Sequence, residues 1–267
     1  MTELGTPAAY ALLLWWFTTG LILFLDGRPQ TTFRLSMAVA TAILLPTLYV
    51  LRSSAADLSV GGAYVAFSCA VLVWGWLEMS FLMGFITGPR TYACVERCVG
   101  WRHFVHAAQA IAYNEIATLL GATGVLLATW GKPNRVALWT FTVLWVMRLS
   151  AKLNLFLGVP NVGDKFLPAH LQYLKSFFRK RSMNLLFPLS VSVSTVVLVF
   201  LAQKYKAAAD AAHGVSYALV SSLLALAVLE HWFMVLPLPS ERLWNWALGG
   251  RRALAGMNFR SQKERAS

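Results

Sequence analysis

Long apolar stretches recur along the whole chain and are separated by short segments rich in polar residues. Each stretch is long enough for an α-helix to cross a hydrocarbon core of about 30 Å. The period-two alternation of a membrane β-barrel does not occur. We therefore predict an all-α, polytopic membrane protein. It forms a single transmembrane domain over residues 1–267, with seven spans at residues 8–25, 33–51, 60–86, 103–130, 134–157, 184–203 and 215–238.

The composition agrees with this pattern. Hydrophobic residues make up 58% of the chain and charged residues only 13%, whereas a soluble domain carries about a quarter charged residues. The net charge of +12 could indicate nucleic-acid binding in a soluble protein. No soluble domain is predicted to present that charge, so nucleic acid is not an expected partner. Three cysteines do not suggest a disulfide framework.

The distribution of Lys and Arg predicts the orientation in the membrane. Of the 23 basic residues, sixteen fall on one predicted side, five on the other and two inside a span. Because basic loops remain in the cytoplasm, we expect a periplasmic N-terminus and a cytoplasmic C-terminus with a basic tail at residues 239–267. An even number of spans would not preserve this bias.

Residues 166–183 are predicted to form a cytoplasmic interfacial amphipathic helix. Apolar residues recur there at helical spacing and are flanked by four basic residues, which would contact anionic lipid headgroups. These four are Lys175, Arg179, Lys180 and Arg181. The alternative is a basic loop packed on the bundle.

Charged residues inside the predicted spans are the main functional candidates. An unpaired charge at the middle of a membrane costs at least about 2.5–3.5 kcal/mol. With a rise of about 1.5 Å per residue, all of them lie in the cytoplasmic half of four different helices. Arg148 and Lys152 share one helix face, which we expect to point inward toward the acids. The predicted cluster is Glu78, Glu115, Arg148, Lys152 and Glu230, with His231 beside it.

This cluster is unbalanced, because three carboxylates accompany two cations. Protonation of a carboxyl group, a protonated His231, a metal or a cationic ligand group could compensate the third negative charge. The sequence leaves these choices open. We interpret the cluster as a candidate ligand site, and the alternative is an ion-pair network that only fixes helix register.

Other chemical signals are weaker. His106 is a candidate axial ligand for a tetrapyrrole. Cys94, Cys98, His103 and His106 have metal-ligand types, but their C-x3-C-x4-H-x2-H spacing is not a usual zinc pattern, and we assign no metal site from sequence. No nucleotide-binding glycine loop, Gly-x-Ser-x-Gly or His-Glu-x-x-His motif occurs. No catalytic residue is therefore assigned.

Several stretches resemble a known family. They are WWFTTGLILFLDG, LVWGWLEMSFLMGFITGPR, LWTFTVLWVMRLSAKLNLFLGVPN, FLPAHLQYLKSFF, MNLLFPLSVS and LALAVLEHWFMVLPLP. In these stretches, which extend over nearly all the spans, the chain resembles the PuhE family of photosynthetic complex assembly proteins of anoxygenic phototrophic bacteria. The resemblance implies a place in the bacterial inner (intracytoplasmic) membrane and a gene near that of the reaction-centre H subunit. It supplies no catalytic residues.

The resemblance implies an assembly factor for the reaction centre and its core antenna that handles bacteriochlorophyll or modulates its supply. Expected partners are membrane lipids, subunits of these complexes and bacteriochlorophyll, and the cofactor stays open between bacteriochlorophyll, a precursor and none. A membrane enzyme of bacteriochlorophyll or quinone metabolism that uses the buried carboxylates is the alternative. A proton-coupled transporter is the third hypothesis, because buried charges also mark ion paths.

Overall fold

The computed structural model describes residues 4–95, 98–163 and 166–249. Within these ranges, seven helices are long and apolar enough to cross a membrane, and there is no β-strand. The predicted all-α, polytopic membrane bundle is confirmed, and each predicted span overlaps one helix. The helices are α1 (Gly5–Asp26), α2 (Phe33–Ser54), α3 (Val60–Leu82), α4 (Gly100–Thr129), α5 (Val136–Leu157), α6 (Leu186–Lys206) and α7 (Ala211–Phe233).

Local polar contacts set several helix ends that hydropathy placed only approximately. The Ser59 hydroxyl oxygen accepts the Gly62 N–H at 3.0 Å and starts α3. Asp210 accepts the His213 N–H at 2.9 Å, so α7 begins four residues before the predicted residue 215. At the other end of α3, the chain turns at Gly84, whose φ is +82°. The third span therefore ends before the predicted residue 86.

Helix α3 lies at the centre of the bundle and contacts α1, α2, α4, α5 and α7. Its Phe67 and Ala70 are fully buried. Helix α6 lies at the periphery, where only Phe187 and Ser194 of its residues are buried. Because lipid tails are as apolar as these side chains, a peripheral helix can remain apolar all round.

The connections between helices gather at the two ends of the bundle. At one end, the Asn134 side-chain amide donates to the carbonyl oxygens of Ser54, Asp57 and Gly62 at 3.2, 2.9 and 3.1 Å. The α3–α4 and α5–α6 connections and the chain after α7 lie at the other end. This alternation fits the predicted topology, while the orientation relative to the cytoplasm stays a prediction.

The predicted interfacial helix at residues 166–183 differs from the structure. The segment forms a short 3₁₀ helix at Ala169–Phe177, and its Leu171, Leu174 and Phe177 are buried in a cluster with Phe81 and Ala110. The apolar face thus packs on α3 and α4, as in the alternative of a loop packed on the bundle. Amphipathic spacing shows that a face is apolar but not whether lipid or protein covers it.

The basic residues of that segment have unequal surroundings. Lys175, Lys180 and Arg181 are exposed, whereas Arg179 is half-buried, with its guanidinium 5.4 Å from the centre of the Phe156 ring. Their contact with lipid headgroups stays a prediction.

The start of the predicted tail at residues 239–267 is fastened to α1. The Trp244 indole N–H donates to the Trp16 carbonyl oxygen at 3.0 Å, and the Trp16 indole N–H donates to the Leu243 carbonyl oxygen at 2.9 Å. Trp244 is buried against Leu23. The rest of the predicted basic tail, from residue 250 onward, lies outside the described residues.

Candidate functional site

Two ion pairs lie inside the bundle, one helical turn apart along α5. Arg148 Nη2 is 2.7 Å from Glu78 Oε2 on α3. Lys152 Nζ is 2.7 Å from Glu115 Oε1 on α4. The i, i+4 spacing places both cations on one face of α5, and in the structure this face meets the acids of two neighbouring helices. Whether these pairs form a functional site stays a prediction.

The ion pairs face a cavity of about 760 Å³, which we call the charged cavity. Helices α1, α3, α4, α5 and α7 form its walls, and residues from 161–163 and 166–178, together with Trp244, also line it. Most of the lining is apolar, with aromatic side chains that include Trp15, Trp74 and Phe156. This volume falls within the range of about 300–1,000 Å³ that is typical of small-molecule sites. The charged lining residues are Glu78, Glu115, Arg148, Lys152 and Glu230.

Glu230, the third acid, lines the same cavity from α7. No described Lys or Arg lies within salt-bridge distance of its carboxylate. It interacts with Arg148 and Glu78 through longer-range electrostatics, and Trp15 lines the same cavity. Protein atoms surround the Glu230 side chain, but a molecule inside the cavity can reach it because Glu230 is part of the cavity lining. Glu230 is therefore the acid of the predicted cluster that has no cation paired with it among the described residues.

His231 belongs to a different polar network. Its Nε2 is 2.9 Å from the Ser150 hydroxyl oxygen, and its Nδ1 is 2.9 Å from the Ala227 carbonyl oxygen. Because a carbonyl only accepts hydrogen bonds, Nδ1 carries a proton. The side chain is 2% exposed, and among the described residues no acid pairs with it. The structure therefore gives no support to His231 as the protonated partner of the third carboxylate.

His106, the candidate tetrapyrrole ligand, does not line the described part of this cavity. Its Nδ1 lies 3.5 Å from Cys94 Sγ and 3.4 Å from Cys98 Sγ, and His103 Nδ1 lies 3.4 Å from Cys94 Sγ. We call these four residues the thiol–imidazole cluster. The residue types were visible in the sequence, but their convergence depends on how the α3–α4 loop folds onto α4, which spacing alone does not reveal.

Burial and the neighbouring Cys98 raise the pKa of the Cys94 thiol, whereas the nearby Arg90 guanidinium opposes this rise. Cys94 is therefore a protonated thiol at neutral pH in the free protein. The Arg90 side chain is 6% exposed and donates to the Ala93 carbonyl oxygen at 3.2 Å.

The fold and the cavity together define a multi-pass helical membrane protein with ion pairs in an interhelical cavity. The chain belongs to the family described as "Protein of unknown function (DUF3623)", which matches residues 1–255. It is 38% identical over 245 residues to a Rhodobacter capsulatus protein described as "Uncharacterized 30.4 kDa protein in puhA 5'region". The match covers 90% of this chain and 89% of that relative. No solved structure matches the chain.

Proposed function

We propose that this protein is an assembly factor for the photosynthetic reaction centre and its core antenna, and that its cavity binds bacteriochlorophyll or a precursor. Two observations support a role in the assembly of photosynthetic complexes: the Rhodobacter capsulatus relative is described by its place in the puhA 5′ region, and the chain resembles the PuhE family. One observation supports the chemistry: two cations are held by carboxylates on the wall of a mostly apolar cavity of ligand size.

The ligand class follows from what the cavity offers. A bacteriochlorin is a flat apolar ring whose keto and ester carbonyl groups lie at its edge, so it needs apolar walls and a few hydrogen-bond donors. Arg148 and Lys152 supply donors, and the Arg148 Nε–H is buried without a partner among the described residues. Glu78 and Glu115 hold these cations in place, which reduces the ordering cost on binding.

The cavity does not offer a free imidazole to a central magnesium ion. His231 is the sole histidine among the described lining residues, and both of its ring nitrogens are hydrogen-bonded. His106 lies in the thiol–imidazole cluster instead. We therefore assign recognition to the edge of the ring and to its apolar faces, and not to His106 as an axial ligand.

The same proposal places the protein in the bacterial inner (intracytoplasmic) membrane. Its basic side chains Lys175, Arg179, Lys180 and Arg181 would lie at the anionic cytoplasmic surface. Subunits of the reaction centre or core antenna would be its protein partners.

A membrane enzyme of bacteriochlorophyll or quinone metabolism is the second candidate, and Glu230 is the observation that favours it. Glu78 and Glu115 are occupied by cations, so they are poor acid–base groups. Glu230 has no such partner among the described residues and faces the cavity, where a proton could be exchanged with a ligand.

Pigment extraction tests the binding part of the proposal. The full-length protein is purified from a phototroph that makes bacteriochlorophyll, and the absorbance of its solvent extract is recorded. The double variant Glu78→Gln/Arg148→Gln removes one pair without leaving a lone charge, and it should lose most of the pigment. Arg135→Gln, an exposed change just before α5, should retain it. Pigment-free wild-type protein would overturn this part of the proposal.

A deletion strain separates the two candidate functions. Loss of the core complex with normal pigment synthesis supports an assembly factor, whereas accumulation of a pigment intermediate supports an enzyme. A Glu230→Gln strain that behaves like the deletion and accumulates the same intermediate would identify the acid. A deletion strain with unchanged spectra and unchanged core complex would contradict both candidates.

A further inference from the structure

The thiol–imidazole cluster lies outside the charged cavity, where the α3–α4 loop meets the first two turns of α4. We propose that it is a binding site for a thiophilic divalent cation of the zinc class, with Cys94, Cys98 and His106 as ligands and His103 as the fourth. This inference does not rest on pigment binding, because it uses other residues and another ligand chemistry.

The distances among Cys94, Cys98 and His106 match those of a zinc coordination shell, and His103 approaches this set through Cys94. Zinc binds Cys sulfur at about 2.3 Å and His nitrogen at about 2.0–2.1 Å, so adjacent sulfur and nitrogen ligands of a tetrahedral site lie about 3.6 Å apart. The three sulfur–nitrogen separations here are 3.4, 3.5 and 3.4 Å. The ligand atoms of Cys94, Cys98 and His106 all lie within 4.8 Å of one another.

Hydrogen bonding alone explains these contacts less well. Cys94 Sγ approaches both imidazoles, and His106 Nδ1 approaches both sulfurs. Each thiol has one proton and each Nδ1 takes part in one N–H or lone-pair interaction, so pairwise bonds cannot satisfy every contact well. A single cation bound by Cys94, Cys98 and His106 satisfies both contacts of His106 together, and His103 lies on the Cys94 side of that position.

The fold fixes the path of the loop that leads to Cys94. The Cys94 N–H donates to the Ser176 hydroxyl oxygen at 2.8 Å, which joins the loop to the 3₁₀ helix at Ala169–Phe177. The Asn114 N–H donates to the Thr87 carbonyl oxygen at 2.9 Å. Between these contacts, Gly88 approaches the α4 backbone so closely that a Cβ atom there would lie 2.0 Å from the Gln109 carbonyl oxygen.

The His103 ring is also oriented before any ligand binds. His103 and His106 are three residues apart and share one face of α4. The His103 ring stacks on Phe156 with centroids 5.4 Å apart and an interplanar angle of 23°, and its side chain is buried. Such support from surrounding residues fixes ring orientation in metal sites and contributes to affinity.

The chemistry of the four ligands and their location favour zinc over other divalent cations. Two thiolates and two imidazoles are the ligands of structural zinc sites, and soft sulfur ligands disfavour magnesium and calcium. The predicted topology places this loop in the cytoplasm, where thiols stay reduced. Phe104 and Ala107 alternate with His103 and His106 along α4 and line the charged cavity. A bound ion would therefore lie next to one wall of that cavity.

Metal analysis of the full-length protein tests the proposal. The protein is purified in detergent without chelators, its zinc content is measured, and the metal-stripped protein is titrated with Co²⁺. We expect about one zinc per chain and a thiolate-to-cobalt absorption band that Zn²⁺ abolishes. Cys94→Ser/Cys98→Ser should lose both signals, and Cys69→Ala, which changes the buried cysteine of α3, should keep both.

Three outcomes would overturn the inference, and a fourth would exclude His103 from it. Wild-type protein without zinc and without a cobalt band would exclude the site, and so would a Cys94–Cys98 disulfide in most of the freshly isolated protein. Equal loss in Cys69→Ala would show that the signals reflect general folding. His103→Gln should weaken Co²⁺ binding by at least about tenfold, the low end of losses seen even for outer-shell partners. Unchanged affinity would remove His103 from the ligand set.

Discussion

The charged cavity and the thiol–imidazole cluster are neighbours on α4, yet different forces assemble them. In the cavity, each charge would cost several kcal/mol if it faced lipid alone, so cations and acids from three helices pair. The cluster contains groups that are neutral as free side chains and lie at a helix end. Backbone contacts of the α3–α4 loop bring these groups together.

This difference shows what each region can tolerate. Removing one member of a charge pair inside the bundle lowers the stability of the fold, because the remaining charge is poorly solvated. A loop site loses its geometry when the path of the backbone changes, even if every ligand residue remains. The two regions should therefore respond to different substitutions.

The largest expected effect is the loss of one member of an ion pair. Arg148→Met leaves Glu78 without its cation, and breaking a buried pair costs about 3–5 kcal/mol. We expect the lower part of that range, because the Arg148 side chain is 41% exposed. Thermal unfolding in detergent should show a clear drop in Tm, and the unfolding transition of Arg135→Met should be nearly unchanged.

A double variant sharpens this result. Glu78→Gln/Arg148→Met removes both charges and should recover much of the lost stability, as a double-mutant cycle would show. If the double variant is as unstable as the sum of the single variants, the two residues do not act as a pair.

These forces also explain how much the sequence could predict. The seven spans and the pairing of Arg148 and Lys152 with acids follow from the cost of exposing polar groups to lipid. No comparable cost determines where α3 ends or where α7 begins. A turn at Gly84 ends α3 before Phe85, and a cap at Asp210 starts α7. Hydropathy does not register such local contacts.

The missed features of the site have related causes. The sequence pattern of residues 166–183 predicts a lipid-facing apolar surface, because this pattern is the same whether lipid or α4 covers it. The position of His231 directly after Glu230 predicts that it joins the charges, but its imidazole forms a hydrogen bond with Ser150 on α5 instead. The convergence of Cys94 and Cys98 on His106 requires a loop path that no periodic pattern encodes.

A substitution at Gly88 should produce an intermediate effect, and it should affect the cluster more than the cavity. In Gly88→Ala the new Cβ would meet the backbone of α4, so the loop must shift, and overpacking of this kind costs about 1–3 kcal/mol. Co²⁺ binding should weaken while pigment content stays near that of the wild type. Gly124→Ala, where a Cβ meets nothing within 4 Å, should bind Co²⁺ normally. Equal effects on Co²⁺ and pigment would contradict separate assembly of the two regions.

The smallest expected effect concerns a charge outside the membrane-spanning segments, at the N-terminus of α7. Hydrogen bonding from the His213 N–H lowers the pKa of Asp210, and the His213 ring lies 2.8 Å from the same carboxylate. The charged cap therefore stabilises the helix fully above the ordinary value of 3.8, and this contribution is lost as the pH falls through the lowered pKa. Asp210→Ala should speed amide hydrogen exchange at His213, with little change in Tm.

Asp210→Asn provides the control, because its side-chain oxygen still accepts the N–H but does not titrate in this range. Its exchange rate should stay near that of the wild type and should not rise in acid. Asp210 and Arg148 each form a charge-assisted contact, but only Arg148 lies among apolar helices. Their variants therefore test how the surroundings affect the cost of losing a partner. If Asp210→Ala lowers Tm as much as Arg148→Met, the surroundings do not determine the cost of losing a partner. The argument that each charge in the cavity needs a partner of opposite charge would then be wrong.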